Sequence, residues 1–470
     1  LPDAAVKESY PRIKAAVGAS GLEFPKGNIT INLAPADRIK QGTAFDLAIL
    51  VSMLKCTTLV SANTDGMCFV GEVSLSGVLK STKGVLSMCI AAKQAGIKDV
   101  FVPTANVCEA SVVDGINVYP VKDINSLVMH LLGMEKIQPF CVDREKLFEN
   151  SLETVCDMCD VKGQENAKLS LEIAAAGMHN VLMIGPPGTG KSMLAKRLPT
   201  ILPSMTFEEA LETTKLYSVA GKLRGKSGLI KNRPFRSPHH TVSPVALSGG
   251  GTVPKPGEVS LAHNGILFLD ELPEFSRTTM ETLRQPIEDG EITVSRVAGS
   301  LTYPCSIMLV AAMNPCPCGY SGHKTKICTC SLAAKERYQN RISGPLLDRI
   351  DIQIDVPAAT YDEISGKKET PESSAEIRKR VEKAREKQRE RFKGTDVTCN
   401  AAMSAVQTRK YCVLSEEAQQ LIKAHYENLG LSGRAYDKIL RVARTIADIE
   451  GYDIIQCSHM MEALCYKNIH

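Results

Sequence analysis

One eight-residue loop constrains the fold of this chain more than any other feature. It follows the apolar run 180–184 and precedes a helical stretch that begins at Met193. Glycines let the backbone wrap around phosphate oxygens at a helix N-terminus. We therefore expect an α/β nucleotide-binding domain in which Lys191 reaches the β and γ phosphates and Ser192 ligates Mg²⁺. The predicted nucleotide-binding residues are Gly185, Pro186, Pro187, Gly188, Thr189, Gly190, Lys191 and Ser192.

A second apolar run ends in paired acids. Residues 265–269 are predicted to form a buried strand, and Asp270 and Glu271 follow it directly. A carboxylate at the end of such a strand can hold the Mg²⁺ shell, and an adjacent glutamate can polarise the attacking water. We assign Asp270 to the metal and Glu271 to the catalytic base.

Two further polar residues suit the same chemistry. Asn314 follows a third predicted strand, 307–312, where its amide can sense the γ-phosphate and position water. Arg349 lies at an expected helix end, where it can neutralise transition-state charge in the site of a neighbouring subunit.

Length and composition set the remaining bounds. A chain of 470 residues predicts about three domains, and 44% hydrophobic with 23% charged residues is typical of a globular protein. Without a bilayer-length apolar run or a signal peptide, we expect a cytoplasmic protein with no membrane contact. The start at Leu1 without Met suggests an incomplete first domain. A net charge of +4 is too small to establish a nucleic-acid partner.

The order of predicted elements divides the chain. Its first part alternates strands, such as 28–33 and 100–102, with helices at 46–54 and 85–95. The predicted regions are an α/β domain at 1–135, a linker at 136–157, an α/β core at 158–356 and a helical region at 357–470.

Motifs outside the phosphate loop carry a resemblance to a known family. They lie at residues 1–9, 161–165, 235–240, 283–286 and 443–448. With them, nearly the whole chain resembles the magnesium-chelatase-like AAA+ ATPases of the YifB/ComM family. The resemblance implies a Lon-protease-like α/β domain with the ribosomal protein S5 domain 2-like fold, an AAA+ P-loop core with a parallel sheet, and a C-terminal helical lid. Ala44 and Val85 would occupy the Ser and Lys positions of a Lon-like protease, so the domain is expected to be non-proteolytic.

The same resemblance implies further site residues and a function. Arg349 would be an arginine finger, Arg434 a second sensor, and Val161 and Gln164 would lie near the adenine. Relatives form hexameric rings and are understood as DNA translocases that promote branch migration during natural transformation. The alternatives are a chelatase-type ATPase that remodels a protein partner for metal insertion, or an ATP-regulated scaffold.

Relatives also project an insert in the second helix and a hairpin before the first sensor toward the ring pore, and these match 233–257 and 288–303 here. Arg236 and Arg296 are the leading candidates for DNA phosphate contacts. His239 and His240 are weaker candidates, for which structural hydrogen bonding is the alternative. The chain has no Trp, and we expect no base-stacking platform.

Two Cys-x-Cys pairs flank a short glycine-containing loop. Four thiolates brought together in this way suit tetrahedral Zn²⁺, although the spacing is tighter than the usual two intervening residues. Unliganded thiols are the alternative to a structural zinc. The candidate ligands are Cys316, Cys318, Cys328 and Cys330.

Overall fold

The computed structural model describes residues 4–34, 40, 42–57, 60, 62–141, 156–223, 228–251, 254–296, 299–323, 326–361, 371–429 and 431–466. The chain divides into two compact units. One comprises Leu1–Ser151 with Phe207–Lys231, and the other comprises Leu152–Thr206 with Asn232–His470. The sequence did not predict that segment 207–231 would join the first unit. Most of the predicted linker, 136–157, lies outside the described residues.

The described secondary structure is mixed. The helices are α1 (Ala4–Lys7), α2 (Ser9–Ala19), α3 (Asp46–Cys56), α4 (Val85–Gln94), α5 (Val107–Ala110), α6 (Ile124–Leu131), α7 (Glu165–Gly177), α8 (Lys191–Ile201), α9 (Phe207–Ala220), α10 (Pro244–Ser248), α11 (Glu258–Leu261), α12 (Arg277–Glu281), α13 (Arg284–Asp289), α14 (Leu332–Gln339), α15 (Gly344–Leu347), α16 (Ser374–Arg391), α17 (Ala405–Tyr411), α18 (Glu416–Leu429), α19 (Gly433–Glu450) and α20 (Cys457–Cys465). The strands are β1 (Met67–Phe69), β2 (Glu72–Val73), β3 (Leu79–Lys80), β4 (Asp99–Pro103), β5 (Asn117–Val121), β6 (Val181–Ile184), β7 (Phe235–Arg236), β8 (Gly249–Gly250), β9 (Lys255–Pro256), β10 (Gly265–Leu269), β11 (Glu291–Arg296), β12 (Gly299–Pro304), β13 (Ile307–Met313) and β14 (Ile352–Asp355).

The first unit is built on a three-stranded parallel sheet with the order β1-β4-β5. The central strand β4 is buried over most of its length, as its run of apolar residues requires. Asp46, fully buried at the start of α3, accepts hydrogen bonds from Ser9 Oγ at 2.5 Å, Arg12 Nε at 2.9 Å and the Val73 N–H at 3.2 Å. This carboxylate therefore ties α2 and β2 to α3.

The predicted helices at 46–54 and 85–95 and the strand at 100–102 are confirmed. The strand predicted at 28–33 is wrong, since this segment has no ladder hydrogen bonds. Its apolar Ile29 and Leu33 instead pack against the core of the unit. The unit is α/β as predicted, whereas its likeness to a Lon protease stays a prediction.

The second unit contains a five-stranded parallel sheet with the order β14-β6-β13-β10-β7. Strands β6 and β10 both pair with β13, and β7 and β14 are the edge strands. Since all these pairings are parallel, the carboxyl ends of the strands meet at one edge of the sheet. The predicted parallel α/β core is confirmed, and its functional candidates follow strands that end side by side.

The C-terminal region is helical, as predicted. Helices α16 to α20 share one hydrophobic core with α7 and the sheet. Asp351, just before β14, lies 3.2 Å from Lys438 Nζ on α19 and 3.5 Å from His179 Nδ1. Burial would raise the pKa of Asp351, but these two partners outweigh burial and hold the pKa well below its usual range. This ion pair fastens the helical region to the end of the sheet.

Candidate active site

The phosphate loop joins β6 to α8 through a tightly packed, glycine-dependent turn. A Cβ at Gly185 would lie 2.2 Å from the Val356 carbonyl oxygen, so no larger residue fits there. Gly188 and Gly190 have φ of +78° and +92°, which lie in the left-handed region. Helix α8 then begins at Lys191. The predicted loop-to-helix geometry, which directs backbone N–H groups toward a bound anion, is present.

Lys191 lies across the loop. Its Nζ donates hydrogen bonds to the carbonyl oxygens of Gly185 at 2.6 Å and Pro186 at 2.8 Å, and to Asn314 Oδ1 at 3.3 Å. Burial lowers the pKa of Lys191, and the nearby Asp270 and Glu271 oppose that shift. The structure therefore joins Lys191 to the amide of Asn314, because their strands β6 and β13 are neighbours.

The predicted metal-shell residues are also together. Ser192 Oγ donates to Asp270 Oδ2 at 2.6 Å. A hydroxyl and a carboxylate oxygen are hard ligands of the kind that Mg²⁺ prefers. Glu271 follows with φ of +52°, and its backbone N–H donates to Asp270 Oδ1 at 3.0 Å. The two adjacent carboxylates have different neighbours, Ser192 for Asp270 and His240 for Glu271, which suits them to different roles.

A histidine lies beside the candidate base. His240 Nδ1 is 3.6 Å from Glu271 Oε2, and the ring centroids of His239 and His240 are 4.1 Å apart. The sequence analysis offered both histidines as weaker DNA contacts or as structural hydrogen-bonding residues. The proximity arises because β7, which leads to His240, pairs in parallel with β10, which leads to Glu271. The position of His240 after a strand end was the signal that could have revealed it.

Asn314, the predicted sensor, is held from two sides. Its side chain accepts from Lys191, and its backbone N–H donates to the buried hydroxyl of Tyr338. Burial raises the pKa of Tyr338 to about 12, so the ring remains neutral at physiological pH. Tyr338 is a supporting residue that the sequence analysis missed.

Val161 and Gln164 precede α7 near the phosphate loop. Val161 is buried, and Gln164 adopts φ of +63°. Gln164 Nε2 donates to the Pro357 carbonyl oxygen at 2.5 Å and lies 3.5 Å from that of Thr189. The structure thus places Gln164 against the loop, whereas its contact with an adenine stays a prediction.

Arg349 and Arg434 form a separate cluster around Glu288. Arg349 makes a close ion pair with Glu288 Oε2, and Arg434 lies 3.9 Å from Glu288 Oε1. The Arg349 interaction lowers the pKa of Glu288. Among the residues that the structure describes, no contact joins either arginine to Lys191. The sequence analysis did not identify Glu288 as the common partner of the two arginines.

The two DNA candidates differ in what surrounds them. Arg236 is paired with Glu258, its Nε lying 2.6 Å from Glu258 Oε2. Arg296 ends β11 and pairs through its backbone with Gly299 of β12, while its side chain lies outside the described part. The expected hairpin is therefore present at Glu291–Arg296 and Gly299–Pro304, whereas the roles of both arginines stay predictions.

The cysteine pairs converge. The four Sγ atoms lie within 4.8 Å of one another. Backbone N–H groups of Tyr320 and Thr329 lower the pKa of Cys318 to about 6. The grouping predicted from the sequence is confirmed, and the presence of zinc is treated below. These sulfur atoms belong to Cys316, Cys318, Cys328 and Cys330.

Comparison with known proteins gives a consistent result over the whole chain. Residues 157–364 match the family described as magnesium chelatase, subunit ChlI, residues 371–467 match its C-terminal region, and residues 1–106 match the subunit ChlI family of Mg-chelatase. The chain is 43% identical to the uncharacterized protein YifB of Salmonella typhimurium, with 100% of this chain and 90% of that protein covered. It is 41% identical to the competence protein ComM of Haemophilus influenzae, with 99% and 91% covered.

Across the described residues, every helix is too short or too polar to cross a bilayer.

Proposed function

The chain belongs to the magnesium-chelatase-like AAA+ ATPase family that includes the YifB and ComM proteins, and from this premise we propose that it binds and hydrolyses ATP with Mg²⁺. One observation carries the proposal. Lys191, the hydrogen-bonded Ser192 and Asp270, and Glu271 converge at the carboxyl edge of a parallel sheet. This is the arrangement that phosphoryl transfer needs, since its catalysis depends on positioning and charge stabilisation.

Each residue has a role that its surroundings support. Lys191 would exchange its loop carbonyl partners for phosphate oxygens and remain next to Asn314. Ser192 and Asp270 would hold Mg²⁺, which would offset phosphate charge. Glu271 would accept a proton from the attacking water, with His240 orienting its carboxylate.

The test compares nucleotide binding and steady-state hydrolysis in three variants of the full chain. Lys191→Ala should lose both, since it removes the cation from the loop. Glu271→Gln should retain ATP binding and lose turnover by about 10²- to 10⁴-fold, as expected for removal of a general base. Glu274→Gln, the same change at an exposed glutamate paired with Arg341, is the control. Near-normal turnover by Glu271→Gln would contradict its assignment.

We further propose that the ATPase is a ring-forming DNA motor, a hexamer that promotes branch migration in recombination and natural transformation. The name of the Haemophilus relative connects that relative with competence. The hexameric ring is what the family resemblance implies. The hairpin of β11 and β12 adds a structural reason. One face is packed through buried Ile292 and Val294, and the other carries exposed hydroxyl pairs. The pairs are Thr293 with Thr302 and Ser295 with Ser300.

These hydroxyl pairs lead along the hairpin toward Arg296. Hydroxyls and an arginine are suitable donors to phosphate oxygens, which contact DNA without reading its bases. Because these contacts are to phosphates and we propose no aromatic residues that stack on bases, the affinity for DNA should fall steeply as the salt concentration rises. Arg236 is a poorer candidate because its guanidinium is engaged by Glu258.

The decisive assay measures ATP hydrolysis with and without forked or four-way DNA. A DNA motor should be stimulated, and its mass in solution with nucleotide should correspond to a closed ring. Arg296→Ala should reduce stimulation at matched salt, while Arg337→Ala, which removes an exposed cation on α14, should not. Hydrolysis that DNA does not stimulate would favour a chelatase-type ATPase acting on a protein partner. Nucleotide binding without turnover would favour a scaffold.

A further inference from the structure

The four cysteine sulfurs have the spacing of a tetrahedral metal site. Cys316 Sγ is 3.4 Å from Cys318 Sγ, and Cys328 Sγ lies 3.6 Å from each of these. A disulfide would require about 2.0 Å, so these thiols are separate. Zn–S bonds of about 2.3 Å give tetrahedron edges of about 3.8 Å. Three of the sulfurs therefore lie close to the separations that one zinc ion would impose, and Cys330 Sγ lies within 4.8 Å of them.

The backbone around the sulfurs is arranged to support negative charge on them. The Ser321 N–H donates to Cys316 Sγ at 3.3 Å, and the N–H groups of Tyr320 and Thr329 donate to Cys318. Donors of this kind orient metal-bound thiolates and stabilise their charge. A turn closed by Gly319 N–H donating to the Cys316 carbonyl oxygen at 2.9 Å forms the first Cys-x-Cys knuckle.

This knuckle packs directly on the candidate active site. Gly319 has φ of +83°, and a Cβ built on it would lie 2.6 Å from Pro187 Cδ in the phosphate loop. The same Cβ would lie 3.8 Å from Asn314 Cγ. Asn314 is only two residues before Cys316. The position of the knuckle therefore fixes the position of the sensor amide relative to the loop.

We propose that Cys316, Cys318, Cys328 and Cys330 bind one zinc ion that holds the sensor segment 314–319 against the phosphate loop. All-sulfur ligation in a closed tetrahedral site is typical of structural zinc, which takes no part in chemistry itself. The effect on hydrolysis rests on the proposed ATPase function, whereas the metal site stands independently of it.

The metal is tested by elemental analysis of the full chain purified without chelators. Wild-type protein should contain one zinc ion per chain, and the double variant Cys318→Ser with Cys328→Ser should contain none. Cys156→Ser with Cys159→Ser removes two half-buried thiols outside the cluster and should keep the zinc. A mercurial should also release zinc from wild-type protein into a zinc-binding dye, which needs no variant to fold. Wild-type protein with iron or no stoichiometric metal, or a cluster variant that keeps its zinc, would overturn the site.

The bracing role is tested by a pair of glycine variants that keep every cysteine. Gly319→Ala and Gly322→Ala both place a side chain at positive φ, +83° and +74°, but only the first meets Pro187, since Gly322 has nothing within 4 Å. Both should retain zinc, and Gly319→Ala should slow hydrolysis about tenfold or more relative to Gly322→Ala, because small displacements of positioning groups are costly.

Equal hydrolysis by the two variants would overturn the brace while leaving the zinc count intact. Absence of hydrolysis in wild-type protein would instead contradict the proposed function. The two glycine variants would then be compared by fluorescent-nucleotide affinity, where equal affinities would overturn the brace.

Discussion

Replacing Asp448 with Asn should destabilise the C-terminal helical region more than any exposed carboxylate change there. Asp448 is buried on α19 and accepts hydrogen bonds from two arginines and an amide. Arg391 donates through both terminal nitrogens, one of them at 2.8 Å, Arg444 Nε donates at 3.1 Å, and Asn400 Nδ2 donates at 2.8 Å. The single carboxylate therefore balances two guanidinium groups inside the core of the second unit.

The magnitude follows from what remains after the change. Removing one partner of a buried ion pair costs about 3–5 kcal/mol, because the other charge stays buried. Arg444, 1% exposed, would keep its bonds to the Tyr452 and Asp453 carbonyl oxygens, and Arg391 is partly exposed. Both features favour the lower end, about 3 kcal/mol, which corresponds to about a hundredfold increase in the population of the open state.

Hydrogen exchange followed by mass spectrometry is the suitable assay. Because the chain has two compact units, a single global free energy of unfolding is not well defined. The chain also has no Trp whose fluorescence could report on one unit alone. Peptides from α16 and α19 should exchange about a hundredfold faster in Asp448→Asn. Glu450→Gln on the same helix removes a half-exposed partner of His459. It should change the free energy of local opening by less than about 1 kcal/mol. Equal effects of the two substitutions would refute the reasoning.

Three further outcomes are expected. His240→Ala should lower kcat for ATP with little change in KM, because His240 contacts the Glu271 carboxylate; steady-state kinetics with unchanged kcat would remove it from the site. Arg349→Ala should lose hydrolysis but keep nucleotide affinity, and mixing it with Lys191→Ala should restore some activity if the arginine acts in a neighbouring subunit; mixed assemblies no more active than their components would count against this arrangement. The depressed pKa of Asp351 contributes stability above the unfolded-state pKa, about 4, that is lost as pH falls through the lower folded-state value. Hydrogen exchange of α19 peptides, compared between wild type and Asp351→Asn at equal pH, should therefore converge at strongly acidic pH; a pH-independent difference between them would contradict the linkage.

The convergence of the catalytic candidates could be predicted because it depends on local rules. A phosphate loop after one buried strand, acids after another and an amide after a third all lie at strand ends, and parallel strands bring such ends to one edge. Glycine at positions 188 and 190 likewise specifies the loop through its own positive φ, whereas the need for Gly185 comes from the distant Val356 carbonyl oxygen. These features do not depend on how the helices pack around the sheet.

Placement of α9 in the first unit could not be predicted in this way. A helix reveals its buried face through its apolar pattern, but this helix buries Thr213, Thr214 and Ser218 together with Ala210 and Leu216. A mixed face of this kind gives a weak periodic signal and does not identify its partner. The helix packs against α4, which is more than a hundred residues away in sequence. Such a pairing is a property of tertiary packing alone.

The two arginines around Glu288, predicted as an arginine finger and a second sensor, differ in how firmly they are held. Arg434 is 73% exposed on its side chain and lies 3.9 Å from Glu288, so this interaction contributes at most about 1 kcal/mol. Arg349 is 14% exposed, pairs closely with the same carboxylate and donates to the Pro345 carbonyl oxygen at 2.5 Å. A phosphate, which forms stronger charge-assisted bonds than a half-exposed carboxylate, can draw Arg434 away at little cost. Arg349 is held in place, and it is therefore suited to meet a phosphate that is brought to it.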